Sequence, residues 1–471
     1  MRKTKFVFLF TLTTILIFGQ SANASLELID YLDQVRKKHE GIIGAEEVGA
    51  GAKLRAIESG LLFSPSFFAE ANYSDDRKQQ TSPSFMGVKT IYKNYSVGFR
   101  ESTPFGLTSK LYYSLAETEI LGASSLFLPV NHFFDAKPVL ELNQSLWSNG
   151  FGAASRAQQK LTEANALVSY YSESHNVKTE LINAESSYWR LAIARQLYEI
   201  QTETLDRAKK IRDWNAKRVR MTLADKSDLL QAETNFQMRK LDVEVALDEV
   251  ESASRAFNSA RGIDSDEVDE SLIDVGPELI KKLRLPQEMK TRDDVYMAQY
   301  ASEAAEANAK MGYERNLPSF DVFATTAFNG RDADSSEAMR KSFRSTWLTW
   351  TAGIRFSAPL RIGAQLDTLD GYRKEQLGKE KVYQRKLFDQ KREWEDLRKQ
   401  FLDLQERFDL ARQLEESQKE KLAHEKNRLE KGRTTTYQVL TFEQDFALSR
   451  LTRLKYQMDI LLTFAKMRLY Q

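Results

Sequence analysis

The chain has 471 residues, with 68 Lys+Arg against 67 Asp+Glu, no cysteine and 11% aromatic residues. A near-neutral balance without a basic face argues against nucleic-acid binding. The missing thiols exclude both a disulfide framework and an N-terminal lipidated cysteine.

The N-terminus sets the compartment. Arg2, Lys3 and Lys5 precede an apolar stretch from Phe6 to Phe18, and Ala22-Asn23-Ala24 offers small residues for cleavage before Ser25. This reads as a secretory signal peptide, residues 1–24, too short and wrongly flanked for a retained anchor. Without it the balance is 65 basic residues (68 less those three) to 67 acidic ones. No later segment approaches about 18 continuous apolar residues, so a membrane could be crossed only by a closed β-barrel.

Residues 25–62 read as N-terminal periplasmic helices, and 63–147 as a first β segment. Four strands are expected there, over 63–73, 93–103, 107–118 and 138–147. Thr103-Pro104-Phe105-Gly106 makes a tight turn between the middle two, and the other connections run to about 20 residues, the barrel habit of short turns on one side and long loops on the other. Phe67, Ala69, Ala71 and Tyr73 share one face, with Ser66, Glu70 and Asn72 on the other. Residues 61–150 hold 15 aromatics, a density that suits interfacial girdles. A soluble sandwich would show the same alternation; the long helices attached to these strands favour a barrel shared between subunits.

From Ala153 to Arg261 there are 109 residues without glycine or proline, which predicts a long helical hairpin over 148–262. A helix of 50 to 60 residues would span roughly 75–90 Å. Val177, Leu181, Ala184, Tyr188 and Leu191 step by four and three, the spacing of a coiled-coil seam. The return arm continues it with Leu229, Ala232, Phe236, Val243, Ala246 and Val250, while Arg195 and Arg239 interrupt the seams. A linker over 263–290 and a helix over 291–316 follow.

A second β segment, 317–358, offers two strands, 317–328 and 346–358. Phe320, Val322, Ala324 and Phe328 repeat the alternation; Leu348, Trp350, Ala352, Ile354 and Phe356 then oppose Thr349, Thr351, Arg355 and Ser357. A second helical hairpin, 359–471, closes the chain, with a seam at Leu451, Leu454, Met458, Leu461 and Ala465.

The halves are duplicates. Asp228 to Phe236 aligns with Gln438 to Phe446 at an offset of 210, which also sets Arg218 on Arg428. Pro65-Ser66-Phe67 matches Pro318-Ser319-Phe320, and Gly98-Phe99-Arg100 resembles Gly353-Ile354-Arg355. The β offsets are 253 and 255, so the first half carries about 40 extra residues in its β region.

These features resemble the TolC family of outer-membrane efflux proteins. The resemblance is carried by the duplicated order, by the tip from Arg428 to Leu440 and by the strand-to-helix passage from Leu140 to Gly150. It implies an α plus transmembrane-β fold: a homotrimer with a shared barrel in the outer membrane of a Gram-negative bacterium and a coiled-coil tunnel in the periplasm. It also implies a periplasmic membrane-fusion adaptor at the helical tips and, through it, an inner-membrane pump of the RND or ABC type.

On that basis Arg218, Leu223, Arg428, Gly432 and Arg433 are assigned to adaptor docking, or merely form the turns. The first tip has Thr222 where the second has Gly432, whereas the family usually has glycine at both. The family closes its periplasmic end with polar rings on the inner hairpin, a stretch that here contains Arg407, Asp409, Arg412, Glu415 and Glu416. Rings of acidic side chains around a narrow axis would favour cations; the other reading is a solvated helix face with intrachain ion pairs. Six strands per protomer are expected, hence eighteen in a trimer, against the four per protomer typical of the family. The alternative leaves 93–118 as a hairpin outside the barrel wall.

No catalytic constellation is expected. His39, His132, His175 and His424 are scattered, no nucleophile elbow or phosphate loop occurs, and Gly49-Ala50-Gly51 lacks the third glycine of a dinucleotide fingerprint. Neither a cofactor nor a metal is anticipated. The function read from the sequence is a passive duct of a tripartite efflux or type I secretion system; the alternative is a non-transporting periplasmic coiled-coil scaffold.

Overall fold

The computed structural model describes residues 25–471, so the signal-peptide assignment lies outside the described residues. In chain order the chain begins α1 Leu28–Lys38, α2 Glu40–Arg55, α3 Glu58–Leu61, β1 Ser66–Asp76, α4 Pro83–Met86, β2 Lys89–Ser102, β3 Leu107–Leu121 and β4 His132–Ser145. Then come α5 Ala153–Arg220, α6 Lys226–Ala260, α7 Pro277–Lys282, α8 Asp293–Asn316, β5 Ser319–Phe328, β6 Gly330–Asp332, α9 Ser335–Lys341 and β7 Leu348–Ser357. The last helices are α10 Ile362–Glu430 and α11 Thr436–Met467. Among the described residues no helix is long and apolar enough to cross a membrane. The chain divides into two units, 44–178 with 288–396 and 469–471, and 25–43 with 179–287 and 397–468.

The first unit is built on one antiparallel sheet in the order β1-β2-β3-β4-β5-β7, with β6 paired to β4. Residues 89–102 and 107–121 lie inside this ladder, so the alternative of a hairpin outside it is not what the structure adopts. The strands run further than their apolar alternation indicated. The loops 77–88 and 122–131 are accordingly shorter than the connections of about 20 residues expected from the sequence. Polar contacts hold the extensions, an ion pair of Lys89 with Asp75 at 3.1 Å and a hydrogen bond between His132 Nε2 and Glu117 at 3.0 Å.

The register gathers one apolar face. Phe67 lies opposite Phe99, Phe99 opposite Leu111 and Leu111 opposite Leu140. Leu142 lies opposite Ala324, and Ala324 opposite Ala352, carrying the face across to β7. Because side chains alternate with a period of two, Glu70, Arg100, Lys110, Glu141 and Arg355 fall on the other face. The apolar face is bare, with Phe67 63%, Phe99 57%, Trp350 73% and Ile354 70% exposed. On part of it α9 packs over β4 and β6; a Cβ at Gly330 would fall 2.1 Å from the Ala338 carbonyl, so that close approach needs glycine. Beyond α9, Tyr113 Oη and Ser342 Oγ lie 2.9 Å apart and Phe343 stacks on Tyr113.

The strand-to-helix passage is tightly folded. Asn149 and Phe151 have φ of 57° and 47°, and the Asn149 side chain accepts from Ser155 N at 2.9 Å. A Cβ on Gly152, whose φ is 77°, would lie 2.0 Å from the Pro104 carbonyl, which fixes the β2–β3 turn against the start of α5. The helices of this unit meet around a buried charge cluster. Arg292 Nη2 lies 2.6 Å from Asp294, and Lys386 Nζ 3.0 Å from the same carboxylate. The Arg292 amide donates to Gln390 Oε1 at 2.7 Å and its guanidinium to Tyr470 Oη at 3.1 Å.

The second unit is helical. Tyr31 stacks on Phe257 at 4.2 Å and donates to its carbonyl, and Tyr188 Oη donates to the Leu26 carbonyl at 2.6 Å. The seam residues Ala184, Tyr188, Leu191, Ala232, Ala246, Leu454, Leu461 and Ala465 are all buried. Arg195 interrupts its seam because it serves the linker, donating to the carbonyls of Glu270 and Val268. Arg239 pairs with Asp242 at 2.9 Å. Other apolar side chains of these helices, among them Leu230, Leu241, Val245, Leu410 and Leu414, remain exposed.

The Asp294 cluster is testable. Burial raises the Asp294 pKa, and the hydrogen bonds from Arg292 and Lys386 outweigh it, taking the group from 3.8 down to about 2. Its stabilisation is therefore complete above pH 3.8 and is lost as pH falls through about 2. Asp294→Asn leaves Arg292 with Glu393 as its remaining carboxylate partner and should cost about 1–3 kcal/mol, read as a lower midpoint of helix melting. Below about pH 2 variant and parent should converge; equal stability at pH 7 would contradict the assignment.

Candidate functional site

The residues singled out in the sequence fall in two places in the helical unit. The first is the pair of turns that close the α5–α6 and α10–α11 hairpins. Each ends its first helix with the same hydrogen-bond pattern. Leu223 N donates to the Arg218 carbonyl at 2.8 Å, and Arg433 N to the Arg428 carbonyl at 2.9 Å. The residue before each is left-handed, Thr222 with φ 55° and Gly432 with φ 67°. This is a Schellman-type stop, in which a left-handed residue lets later amides satisfy the last helical carbonyls.

The side chains repeat the symmetry. Arg218 Nη2 donates to the Leu223 carbonyl at 2.8 Å, and Arg428 Nη2 to the Arg433 carbonyl at 3.2 Å. The five tip residues thus fall as a pair, Arg218 and Leu223, and a triad, Arg428, Gly432 and Arg433, with Arg218 and Arg428 bridging their own turns. Arg428 also pairs with Glu425 at 3.1 Å, and the Glu425 carboxyl is held below its usual range chiefly by the hydroxyl of Thr434. Leu223 and Met221 project at the first tip, each 63% exposed. The tips rest on a core of Ile211, Ala232, Leu422, Leu429, Val439, Leu440 and Phe446, with Trp214 and Phe442 packed against it. Thr436 Oγ1 donates to Asn215 Oδ1 at 2.8 Å, joining the two hairpins.

The second place is α10 before its tip, and here the five sequence candidates part company. Arg407, Asp409 and Arg412 are exposed and enter none of the ion pairs among the described residues. Glu416 is exposed and pairs locally with Lys419 at 3.4 Å. Glu415 turns onto α11, where Arg453 binds it closely and Arg450 lies 3.9 Å away. It straps the hairpin instead of projecting with the other four.

The charge network below the tips was missed in the sequence. Buried Glu443 receives Arg207 Nε at 3.0 Å and Lys426 at 2.5 Å, and Arg450 reaches Glu203 at 2.6 Å. A signal existed: Glu443 aligns with Glu233 in the duplication, and Glu233 also faces an arginine, Arg212, at 3.8 Å. Among the described residues no group of His, Asp and Glu is arranged to hold a metal ion.

Residues 285–470 match the outer membrane efflux protein family. None of the curated proteins matches the chain in sequence. In fold it is similar to VceC, an outer membrane protein of Vibrio cholerae, with a TM-score of 0.65 at 14% identity over 94% of this chain and 95% of that one. The CmeC outer membrane channel of Campylobacter jejuni matches with a TM-score of 0.62 at 14% identity, over 99% and 93%. The MtrE outer membrane channel of Neisseria gonorrhoeae matches with 0.62 at 14% identity, over 94% and 88%. The C-terminal part of the chain is thus similar to the outer membrane efflux protein family, and nearly the whole chain has a fold similar to that of these outer-membrane proteins. Its resemblance to that family holds.

The two left-handed positions make opposite predictions. Gly432→Thr should cost about 1–2 kcal/mol, the penalty of a side chain in the left-handed region. Thr222→Gly should gain a few tenths to about 1 kcal/mol, strain relief being partly offset by the entropy of glycine. Thermal unfolding of both variants, with limited proteolysis at the tips, checks the pair. Equal effects of the same sign would contradict the equivalence of the turns.

Proposed function

We propose that the chain is the passive outer-membrane duct of a tripartite efflux system. The observation that carries this reading is the six-stranded ladder with one bare apolar face and two unpaired edges, β1 and β7. Unpaired backbone groups in hydrocarbon cost several kcal/mol each, so the edges must be joined to something. Strand direction alternates from β1 to β7, so β7 of one copy can meet β1 of the next in the same antiparallel sense. Three copies give eighteen strands, a size that leaves an aqueous channel. The exposed leucines and valines of the helical hairpins supply apolar surface for packing between copies.

The tips bearing Arg218, Leu223, Arg428, Gly432 and Arg433 are the proposed docking surface for a periplasmic adaptor, and through it an inner-membrane pump. Their exposed apolar Leu223 beside turn-bridging arginines supports this. Arg407, Asp409, Arg412 and Glu416 are the proposed constriction residues, with Glu415 holding α11 behind them. The duct performs no chemistry: energy enters through the pump, and type I secretion would differ only in that pump.

Deleting the chain should raise cell-associated dye and sensitivity to toxic compounds, and the parent gene should restore both. Ala352→Arg, at the middle of β7 on the apolar face, should destabilise the inserted state by about 2–4 kcal/mol per copy and fail to restore them. Full restoration by that variant, with the protein in the soluble fraction, would favour the periplasmic scaffold.

A further inference from the structure

The polar face of the sheet carries a cluster that the duct reading leaves unused. Arg100, Lys110 and Arg355 line one cleft of about 490 Å³ together with a single carboxylate, Glu141. Arg100 and Lys110 stand directly opposite each other on β2 and β3, and Lys110 stands opposite Glu141 on β4. Like charges directly opposite on one face destabilise a sheet. Yet none of the three cations enters an ion pair among the described residues, and Glu141 instead accepts from Tyr112 Oη at 2.8 Å.

Aromatic rings hold the cations up. Lys110 Nζ lies 4.7 Å from the Phe68 ring and 4.6 Å from that of Tyr112. The Arg100 guanidinium lies 5.5 Å from Phe68, and that of Arg355 5.4 Å from Phe323. Two glycines make room for these rings: a Cβ on Gly98 would lie 2.4 Å from Tyr112 Cβ, and one on Gly353 2.5 Å from Phe323 Cζ. Ring faces attract cations without neutralising them, and with Glu141 and Asp321, which stands opposite Arg355, set against the three cations the cluster keeps a formal excess of one positive charge beside apolar surface.

We propose that this cleft is a binding site for organic anions, carboxylates or phosphates with an aromatic or apolar body, on the lumenal wall. The proposal rests on the duct reading for its position: near the β2–β3 turn, at the helical end of the strands, it meets cargo entering the barrel. Three copies would set nine cations in a belt. Charge-assisted hydrogen bonds from guanidinium and ammonium groups bind the anionic head, and the rings contact the body.

The test uses the full chain, purified in detergent and reconstituted in planar bilayers. Under a gradient from 100 to 20 mM KCl, about the regime where belt charges are least screened, the parent should show an anion-selective reversal potential. Arg100→Gln with Lys110→Gln and Arg355→Gln should move it towards cations. In detergent, 2-naphthoate should bind the parent saturably and at least about tenfold more tightly than it binds the variant, a difference of 1.4 kcal/mol. The neutral 2-naphthamide should show no such difference. If the triple variant does not assemble, Lys110→Gln alone must shift both readouts in the same direction. Unchanged selectivity and unchanged naphthoate binding would overturn the site. Naphthoate binding without conductance would uphold the site and sink the duct.

Discussion

The constraint on which the rest depends is that backbone polar groups have no partner in hydrocarbon. A sheet whose bare face carries Phe67, Phe99, Trp350 and Ile354 is suited to lipid, but only if its edges are closed. Six strands in strict alternation leave β1 and β7 with complementary directions, so the sheet is a segment of a wall and not a wall. Oligomerisation is what the proposed duct requires of this topology. In the proposed duct the polar face would line the lumen, and every charge on it would be presented to cargo.

The helical unit answers a different constraint. Long hairpins need a stop that leaves no carbonyl unsatisfied, and the duplicated chain uses the same one twice. The left-handed residue is glycine at 432 and threonine at 222, with φ values of 67° and 55°. Geometry has been kept where the favoured residue has not, which indicates that the turn is fixed by the bonds from Leu223 and Arg433 to the helix ends. Arg218 and Arg428 bridge those turns themselves, so they serve structure as well as surface.

Much of this was legible in the sequence. The seams at Ala184, Tyr188, Leu191 and Leu461 lie in the core because period alone selects a helix face. The six long strands were legible through their apolar alternation, and their ends were not. Asp75, Lys89 and His132 lie in extensions whose pairing is polar, which hydropathy cannot register. β6 and α9 escaped for a similar reason, being set by the Asp334 cap and the bare Gly330 and not by a periodic pattern. At the candidate site the tips could be located from repeats, whereas the orientation of Glu415 could not. Whether a helical carboxylate faces solvent or Arg450 and Arg453 depends on which helix lies beside it. The cationic cleft was equally hidden, because Arg100, Lys110 and Arg355 become neighbours only through strand register.

The most direct test of the account is single-particle imaging of the protein extracted from outer membranes in mild detergent, at a resolution that separates strands. The account predicts a threefold particle whose wall contains eighteen strands, six from each copy, with β7 of one copy hydrogen-bonded to β1 of the next. A monomer with both edges free, or a wall in which β2 and β3 lie outside the ring, would contradict it.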